Sequence, residues 1–144
     1  MSQRRVVVTG LGQISPVGNN VADAWQNLLA GVSGIGRITR FDAGELSAQI
    51  AGEVKDFQIG EYIGAKEARR MDAFIHYGVA AALQAVADAG LDDYPALDKT
   101  RVGVNIGSGI GGLPSIEETG IVVHENGPRR INPFFIPGSL INLI

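Results

Sequence analysis

The chain has 144 residues, about the size of one domain, and its 45% of hydrophobic and 19% of charged residues favour a packed core over disorder. It has no cysteine and two histidines, which excludes disulfides, cysteine-ligated zinc and a cysteine nucleophile in this chain and argues against a metal site. The net charge of −3 argues against a nucleic-acid binder, no signal-peptide pattern opens the given sequence, and it has no apolar run long enough to span a membrane. We expect a soluble, cytoplasmic α/β domain.

The first part of the chain predicts a strand, a loop and a helix, in that order. The β-branched run at residues 4–9 is typical of a buried strand. Residues 10–18 contain a proline and three glycines, which predict a loop. Apolar residues repeat at helical spacing over residues 21–29, with Asn20 as a capping residue before them and Gly31 as the stop after them.

The middle of the chain carries the clearest helical pattern. Residues 50–54 favour a short strand within an otherwise mixed region of turns and short helices. Residues 67–89 carry an apolar face and many alanines, and Gly90 ends the pattern, so we expect one long helix there. So much alanine predicts that this helix lies very close to another element.

The last part predicts a second strand followed by helices. Residues 101–106 favour another buried strand, the glycines of residues 107–112 a loop, and residues 114–124 a helix. Residues 139–144 have the pattern of a buried helix that has only begun, which predicts a chain cut at this end. The alternation of strands and helices favours an α/β sheet with helices on both faces.

Both glycine loops resemble nucleotide-binding loops, and both lack key residues. A dinucleotide fingerprint needs a third glycine where Ser15 stands, and a helix where Pro16 stands, so we favour a structural turn over NAD(P) binding. The loop at 107–112 lacks the lysine and hydroxyl residue of a phosphate loop. It predicts either close packing of the backbone or a pocket wall into which Ile110 projects.

Five basic residues and two histidines remain as candidates for binding. The basic residues are Lys66, Arg69, Arg70, Arg129 and Arg130. They predict either a solvated face or a docking patch for an acidic partner, with part of the charge paired to Glu67 and Asp72. We expect His76 and His124 to serve in packing and in capping a helix end, respectively.

Several stretches together resemble the β-ketoacyl-[acyl-carrier-protein] synthases, the condensing enzymes of fatty-acid elongation. They are VVVTGLGQISPVGNN at 6–20, KEARRMDAFIHYGVAAALQAVADAG at 66–90, GVNIGSGIGGL at 103–113 and GPRRINPFFIPGSLIN at 127–142. Ile110 and the pair Phe134-Phe135 favour the type II synthases over the type I synthases. The resemblance covers essentially the whole chain in order.

The resemblance implies a thiolase-like α/β fold and a homodimeric enzyme. Residues 1–144 would form part of its N-terminal half, a mixed sheet with helices on both faces, ending before the catalytic cysteine. An acyl group would pass from acyl carrier protein to that cysteine, and decarboxylation of malonyl-carrier protein would give the carbanion that attacks the thioester. No cofactor or metal is implied, because the phosphopantetheine arrives on the carrier protein.

The resemblance also implies roles for seven residues, none of them catalytic. Ile110 and Phe135 would line the acyl pocket. The carrier protein would be bound by Lys66, Arg69, Arg70, Arg129 and Arg130. We therefore expect this chain to be inactive in condensation by itself. The alternative is a non-catalytic module that only docks carrier protein.

Overall fold

The structure, a computed structural model, describes residues 3–91 and 95–144. Its helices are α1 (Val21–Leu29), α2 (Ala65–Ala68), α3 (Ala73–Asp88), α4 (Leu113–Asn126) and α5 (Phe135–Ser139), with single 3-10 turns at Ile59–Glu61, Lys99–Arg101, Pro128–Arg130 and Ile141–Leu143. Two strands, β1 (Ile35–Arg37) and β2 (Ile50–Gly52), form an antiparallel pair in which Gly36 lies opposite Ala51. None of the helices in this described part is long and apolar enough to cross a membrane.

The chain divides into two units, which are described separately. The first unit comprises Met1–Phe57 and Ala81–Pro95, and the second comprises Gln58–Ala80 and Ala96–Ile144. The first unit therefore holds α1, the two strands and the second half of α3. The second unit holds α2, the first half of α3, α4 and α5.

In the first unit, α1 begins and ends as its sequence predicts. The side-chain oxygen of Asn20 accepts a hydrogen bond from the Asp23 N–H at 2.8 Å, which satisfies one of the free donors of the first turn. After the helix, Gly31 has a φ of +70°, a left-handed conformation that glycine adopts without strain. The cap and the stop of this helix are confirmed.

The first glycine loop packs directly against α3 within the first unit. A Cβ at Gly12 would overlap the carbonyl oxygen of Ala81, and one at Gly10 would overlap that of Ala85. Gln84 fastens the same loop, because its side-chain oxygen accepts from the Gln13 N–H at 3.0 Å. The predicted close approach of the alanine-rich helix is confirmed, and the glycines serve packing, as the structural interpretation of this loop expects.

The two buried strands predicted at residues 4–9 and 101–106 are wrong for the chain as described. Neither run is assigned to a strand, and Val6 and Val104 are 92% and 85% exposed. An extended run becomes a strand only when a neighbour satisfies its backbone groups, and no described segment pairs with either run. The strand predicted at 50–54 is present but shorter, as β2.

In the second unit, the predicted helix at 67–89 is divided in two. The chain turns between Ala68 and Ala73, where the Asp72 N–H donates to the Gly138 carbonyl oxygen at 3.1 Å. This contact with a distant residue interrupts the helix although the local sequence favours it. The stop at Gly90, with a φ of +64°, is confirmed, and it lies in the first unit.

The C-terminal helices also differ in part from their prediction. The helix predicted at 114–124 is confirmed as α4, which extends it at both ends. The helix predicted to begin at residue 139 is wrong, since α5 ends there and a single 3-10 turn follows. The buried Ser139 explains why the helix stops. Its carbonyl oxygen accepts from the Gly112 N–H at 3.0 Å and not from an N–H one turn further along the helix.

Candidate functional site

The second unit contains a cavity of about 420 Å³. Its walls come from the turn between α2 and α3, from α4, and from the segment that leads through the 3-10 turn Pro128–Arg130 into α5. The lining residues that the sequence had singled out are Arg69, Arg70, Asp72, Arg130, Phe134 and Phe135. Basic and aromatic side chains therefore line the same cavity.

Three arginines outnumber the two carboxylates of this cavity, Asp72 and Glu118. Arg69, Arg70 and Arg130 line it, and all three are exposed. Within residues 3–91 and 95–144 none of them forms an ion pair with a carboxylate, so their charge is available to a ligand. The pairing with Asp72 that the sequence suggested is not formed, because the Asp72 carboxylate is bound elsewhere.

That carboxylate holds the wall of the cavity together. Oδ2 of Asp72 accepts from the Ser115 hydroxyl at 2.6 Å and from the Ser115 N–H at 3.1 Å. Ser115 is in the first turn of α4, where backbone N–H groups have no partner within the helix. The bond therefore fixes the start of α4 against the start of α3.

Two adjacent phenylalanines supply the apolar part of the lining. Phe135 is half-buried at the first position of α5, and Phe134 precedes it with 38% of its surface exposed. The guanidinium carbon of Arg70 lies 4.4 Å from the centre of the Phe134 ring, a cation–π geometry. The cavity thus joins a cationic rim to an aromatic wall.

The remaining predicted site residues lie outside this cavity. Lys66 and Arg129 are exposed and do not line it. Ile110 lies on the loop before α4 with 65% of its surface exposed, next to Gly111, whose φ is +81°. The structure therefore brings together three of the five basic residues with Phe135, and it leaves Ile110 apart from them.

His76 is packed and His124 lies at a helix end, as the sequence predicts. Nε2 of His76 lies 2.9 Å from the Ala68 carbonyl oxygen and donates to it, so this half-buried ring links the end of α2 to α3. His124 is exposed in the last turn of α4, where a cation would complement the helix dipole. Among the described residues no cluster of three or more potential metal ligands exists.

Sequence reasoning missed four polar residues of the lining. They are Ser115, Glu118, Thr119 and Asn132. The first three follow helical spacing along residues 114–124, so one polar face of that predicted helix was a usable signal. Asn132 carried no comparable signal, because its role depends on the turn before α5.

The carboxylates with shifted pKa values lie away from the cavity. A hydrogen bond from the Thr39 hydroxyl, supported by the Thr39 and Arg40 N–H groups, lowers the pKa of Glu53 in the first unit. A hydrogen bond from the Thr100 hydroxyl lowers the pKa of Asp98 in the second unit. In both cases hydrogen bonds to the charged form favour it.

Comparison with protein families gives one match that covers nearly the whole chain. Residues 3–144 match the family model described as "Beta-ketoacyl synthase, N-terminal domain". The chain is 52% identical over 144 residues to 3-oxoacyl-[acyl-carrier-protein] synthase 2 of Vibrio harveyi and 51% identical to that of Vibrio cholerae. Each match covers the whole of this chain, and this chain spans 34% of the length of each of these relatives.

Solved structures give the same likeness at the level of the fold. A β-ketoacyl synthase from Burkholderia phymatum matches with a TM-score of 0.80 and 25% identity, over 98% of this chain and 35% of the other. A type II PKS acyl-carrier protein in complex with its ketosynthase matches with a TM-score of 0.75 and 28% identity, over 96% and 35%. These matches confirm the thiolase-like α/β fold class. The described residues of this chain contribute helices and a two-stranded sheet to that fold.

Proposed function

The chain belongs to the β-ketoacyl synthase family as its N-terminal domain, and from this premise we propose that residues 1–144 form the N-terminal part of a type II 3-oxoacyl-[acyl-carrier-protein] synthase. The observation that carries the proposal is the cavity in which Arg69, Arg70 and Arg130 lie beside Phe135. A cationic rim next to an aromatic wall suits a substrate that has an acyl chain and is delivered by an acidic protein.

The reaction that we propose for the complete synthase is a decarboxylative condensation. A cysteine thiolate would attack the acyl thioester and release the carrier thiol. Malonyl-carrier protein would then lose carbon dioxide, and its carbanion would attack the acyl-cysteine carbonyl and expel the thiolate. Since the 144 residues contain no cysteine, this chain would contribute recognition and not the nucleophile.

The partner that we propose is an acyl carrier protein. Arginine guanidinium groups at an open rim would steer an acidic protein toward the cavity and orient it there. The solved ketosynthase complex that this chain resembles has its own acyl-carrier protein bound. Lys66 and Arg129 would extend the same docking surface beyond the cavity.

Four further properties belong to the proposal. We propose that the complete synthase is a cytoplasmic homodimer. It would use no cofactor of its own, because the phosphopantetheine arm is attached to the carrier protein and the decarboxylation itself generates the carbanion. Ile110 and Phe135 would line the acyl pocket.

Charge reversal tests the docking surface. In the complete synthase, Arg69→Glu with Arg130→Glu should weaken the binding of acyl carrier protein roughly tenfold or more, and the affinity of the unchanged protein should fall with rising salt. Lys99→Glu with Arg101→Glu is the matched control, since both are exposed basic residues of the same unit outside the cavity. Equal binding by the two double variants, or binding that ignores salt, would reject the surface.

A second candidate function is a non-catalytic module that only docks carrier protein. Two observations favour this module for the 144 residues taken alone: they contain no cysteine, and they form a basic cavity. Assays of acyl transfer and of malonyl decarboxylation measure whether this chain has any catalytic activity of its own. We expect neither reaction from the isolated chain, and detecting either one would contradict the assignment of this chain to recognition.

A further inference from the structure

We propose that Phe134 is a positioning residue that holds the Arg70 guanidinium ready for the acidic partner. The inference rests on the proposed function, because it adds a residue to the docking surface described above. Its starting point is the 4.4 Å distance between the guanidinium carbon and the centre of the Phe134 ring.

An exposed arginine normally samples many rotamers, and it loses that freedom when a partner binds. A planar guanidinium stacked on an aromatic face is restricted before binding and keeps its charge and its donors. Arg70 is exposed, lines the cavity and forms no ion pair within the described residues, so the ring is positioned to restrict this side chain while its charge stays free.

The ring itself is held by the turn that leads into α5. The Phe134 N–H donates to the side-chain oxygen of Asn132 at 2.9 Å, and the Phe134 carbonyl oxygen accepts from the Gly138 N–H at 2.8 Å. These bonds fix the backbone of Phe134 on both sides. The backbone that carries the ring is therefore anchored on both sides, and we infer that the ring supports the arginine from this anchored position.

The helix that follows this turn, α5, packs directly against the backbone of Arg70. A Cβ at Gly138 would overlap the Arg70 carbonyl oxygen, and the Gly138 carbonyl oxygen accepts from the Asp72 N–H at 3.1 Å. Residues 134–138 thus contact Arg70 twice, through Gly138 of α5 at its backbone and through the Phe134 ring at its guanidinium. This double contact sets the direction in which the arginine leaves the wall of the cavity.

The test compares ringless and ring-bearing variants in the complete synthase, with acyl carrier protein as the probe and titration calorimetry at several salt concentrations. Phe134→Leu and Phe134→Met should each raise the dissociation constant roughly threefold, while Phe134→Tyr should match the unchanged protein. Arg70 keeps its charge in these variants, so the dependence of affinity on salt should not change. Arg70→Gln should weaken binding and reduce that dependence.

The double variant Arg70→Gln with Phe134→Leu decides between positioning and a general structural role. If the ring acts through Arg70, the double variant binds no more weakly than Arg70→Gln alone. Additive losses, or unchanged affinity in both ringless variants, would overturn the inference while leaving the docking surface intact. If Arg70→Gln itself binds normally, Arg70 has no docking role and the inference fails with it; the charge-reversal pair then decides separately whether the proposed docking surface stands.

Discussion

The Ser115 hydroxyl donates to Oδ2 of Asp72 at 2.6 Å, and the Ser115 N–H donates to the same oxygen at 3.1 Å. Gly112, the residue before α4, has no side chain with which to cap the helix. Asp72 from the turn before α3 does so instead, with a negative charge at the positive end of the helix dipole. A residue far away in sequence thus supplies what a capping residue usually supplies locally.

Removal of this cap should loosen α4 at its start. Asp72→Ala should lower the free energy of local opening of the first turn of α4 by about 1–3 kcal/mol, because it leaves the Ser115 donors unpaired. Ser115→Ala should lower it by about 1 kcal/mol, because the backbone bond remains. Hydrogen exchange of the α4 amides measures both.

Thr119→Ala is the control for that experiment. It removes a hydroxyl one turn later on the same helix, and that hydroxyl forms no side-chain hydrogen bond within the described residues. Its exchange should match the unchanged protein. Equal exchange in all three variants would show that Asp72 does not cap α4.

Glu118 should oppose the docking of an acidic partner. It is an exposed carboxylate in the lining of a cavity that also carries three arginines and the hydrogen-bonded carboxylate of Asp72. Glu118→Gln should therefore tighten the binding of acyl carrier protein roughly two- to fivefold, most strongly at low salt. Glu125→Gln, an exposed carboxylate further along α4 and outside the lining, should change the affinity less. Weaker binding by Glu118→Gln would contradict this electrostatic account.

Ile110 should limit the length of the acyl chain in the complete synthase. Ile110→Phe adds volume at the proposed pocket end, so kcat/KM for the longest accepted acyl chain should fall roughly tenfold while short chains are unaffected. Ile121→Phe makes the same change at an exposed position of α4. An unchanged chain-length preference in Ile110→Phe would remove this residue from the pocket.

Glu53 should make one loop of the first unit sensitive to acid. Its carboxylate accepts from the Thr39 hydroxyl at 2.7 Å and from the Thr39 and Arg40 N–H groups, and these bonds lower its pKa from about 4.5. A lowered pKa in the folded state means that the stabilisation is complete above the unfolded pKa and is lost as the pH falls through the folded pKa.

Exchange of the Thr39 and Arg40 amides measures this effect. In Glu53→Gln these amides should exchange faster than in the unchanged protein at pH 7, and the ratio of the two rates should approach one well below pH 4.5. A ratio that is constant with pH would show that the charge of Glu53 does not hold the loop.

The isolated chain should associate with itself. Val6 and Val8, exposed by 92% and 78%, belong to a β-branched run that has no strand partner among the described residues. Such runs pair with other chains. Sedimentation should show oligomers of the 144-residue chain, and Val6→Thr with Val8→Thr should reduce them. A monomer that melts cooperatively would contradict this prediction.

The elements that the sequence predicted correctly are those governed by neighbouring residues. Asn20 caps α1 within one turn, and Gly31 and Gly90 stop helices through their own φ angles. The alanines of α3 also predicted a close contact, which Gly10 and Gly12 make, because only small residues permit so close an approach.

The tertiary structure decided what depends on residues far apart in the chain. Residues 4–9 and 101–106 have strand-forming sequences, but a strand also needs a partner, and the described chain supplies none. The helix at 67–89 breaks at Asp72 because Gly138 and Ser115 bind that residue.

The same division holds for the candidate site. The sequence by itself determined the charges of the arginines and the absence of a cysteine nucleophile in these 144 residues. Only the tertiary structure brought Arg69, Arg70 and Arg130 to one cavity and laid Arg70 on the Phe134 ring. The residue types determine which charges and nucleophiles the chain has. Contacts between distant residues form only when the chain packs, and these contacts determine where those groups lie together.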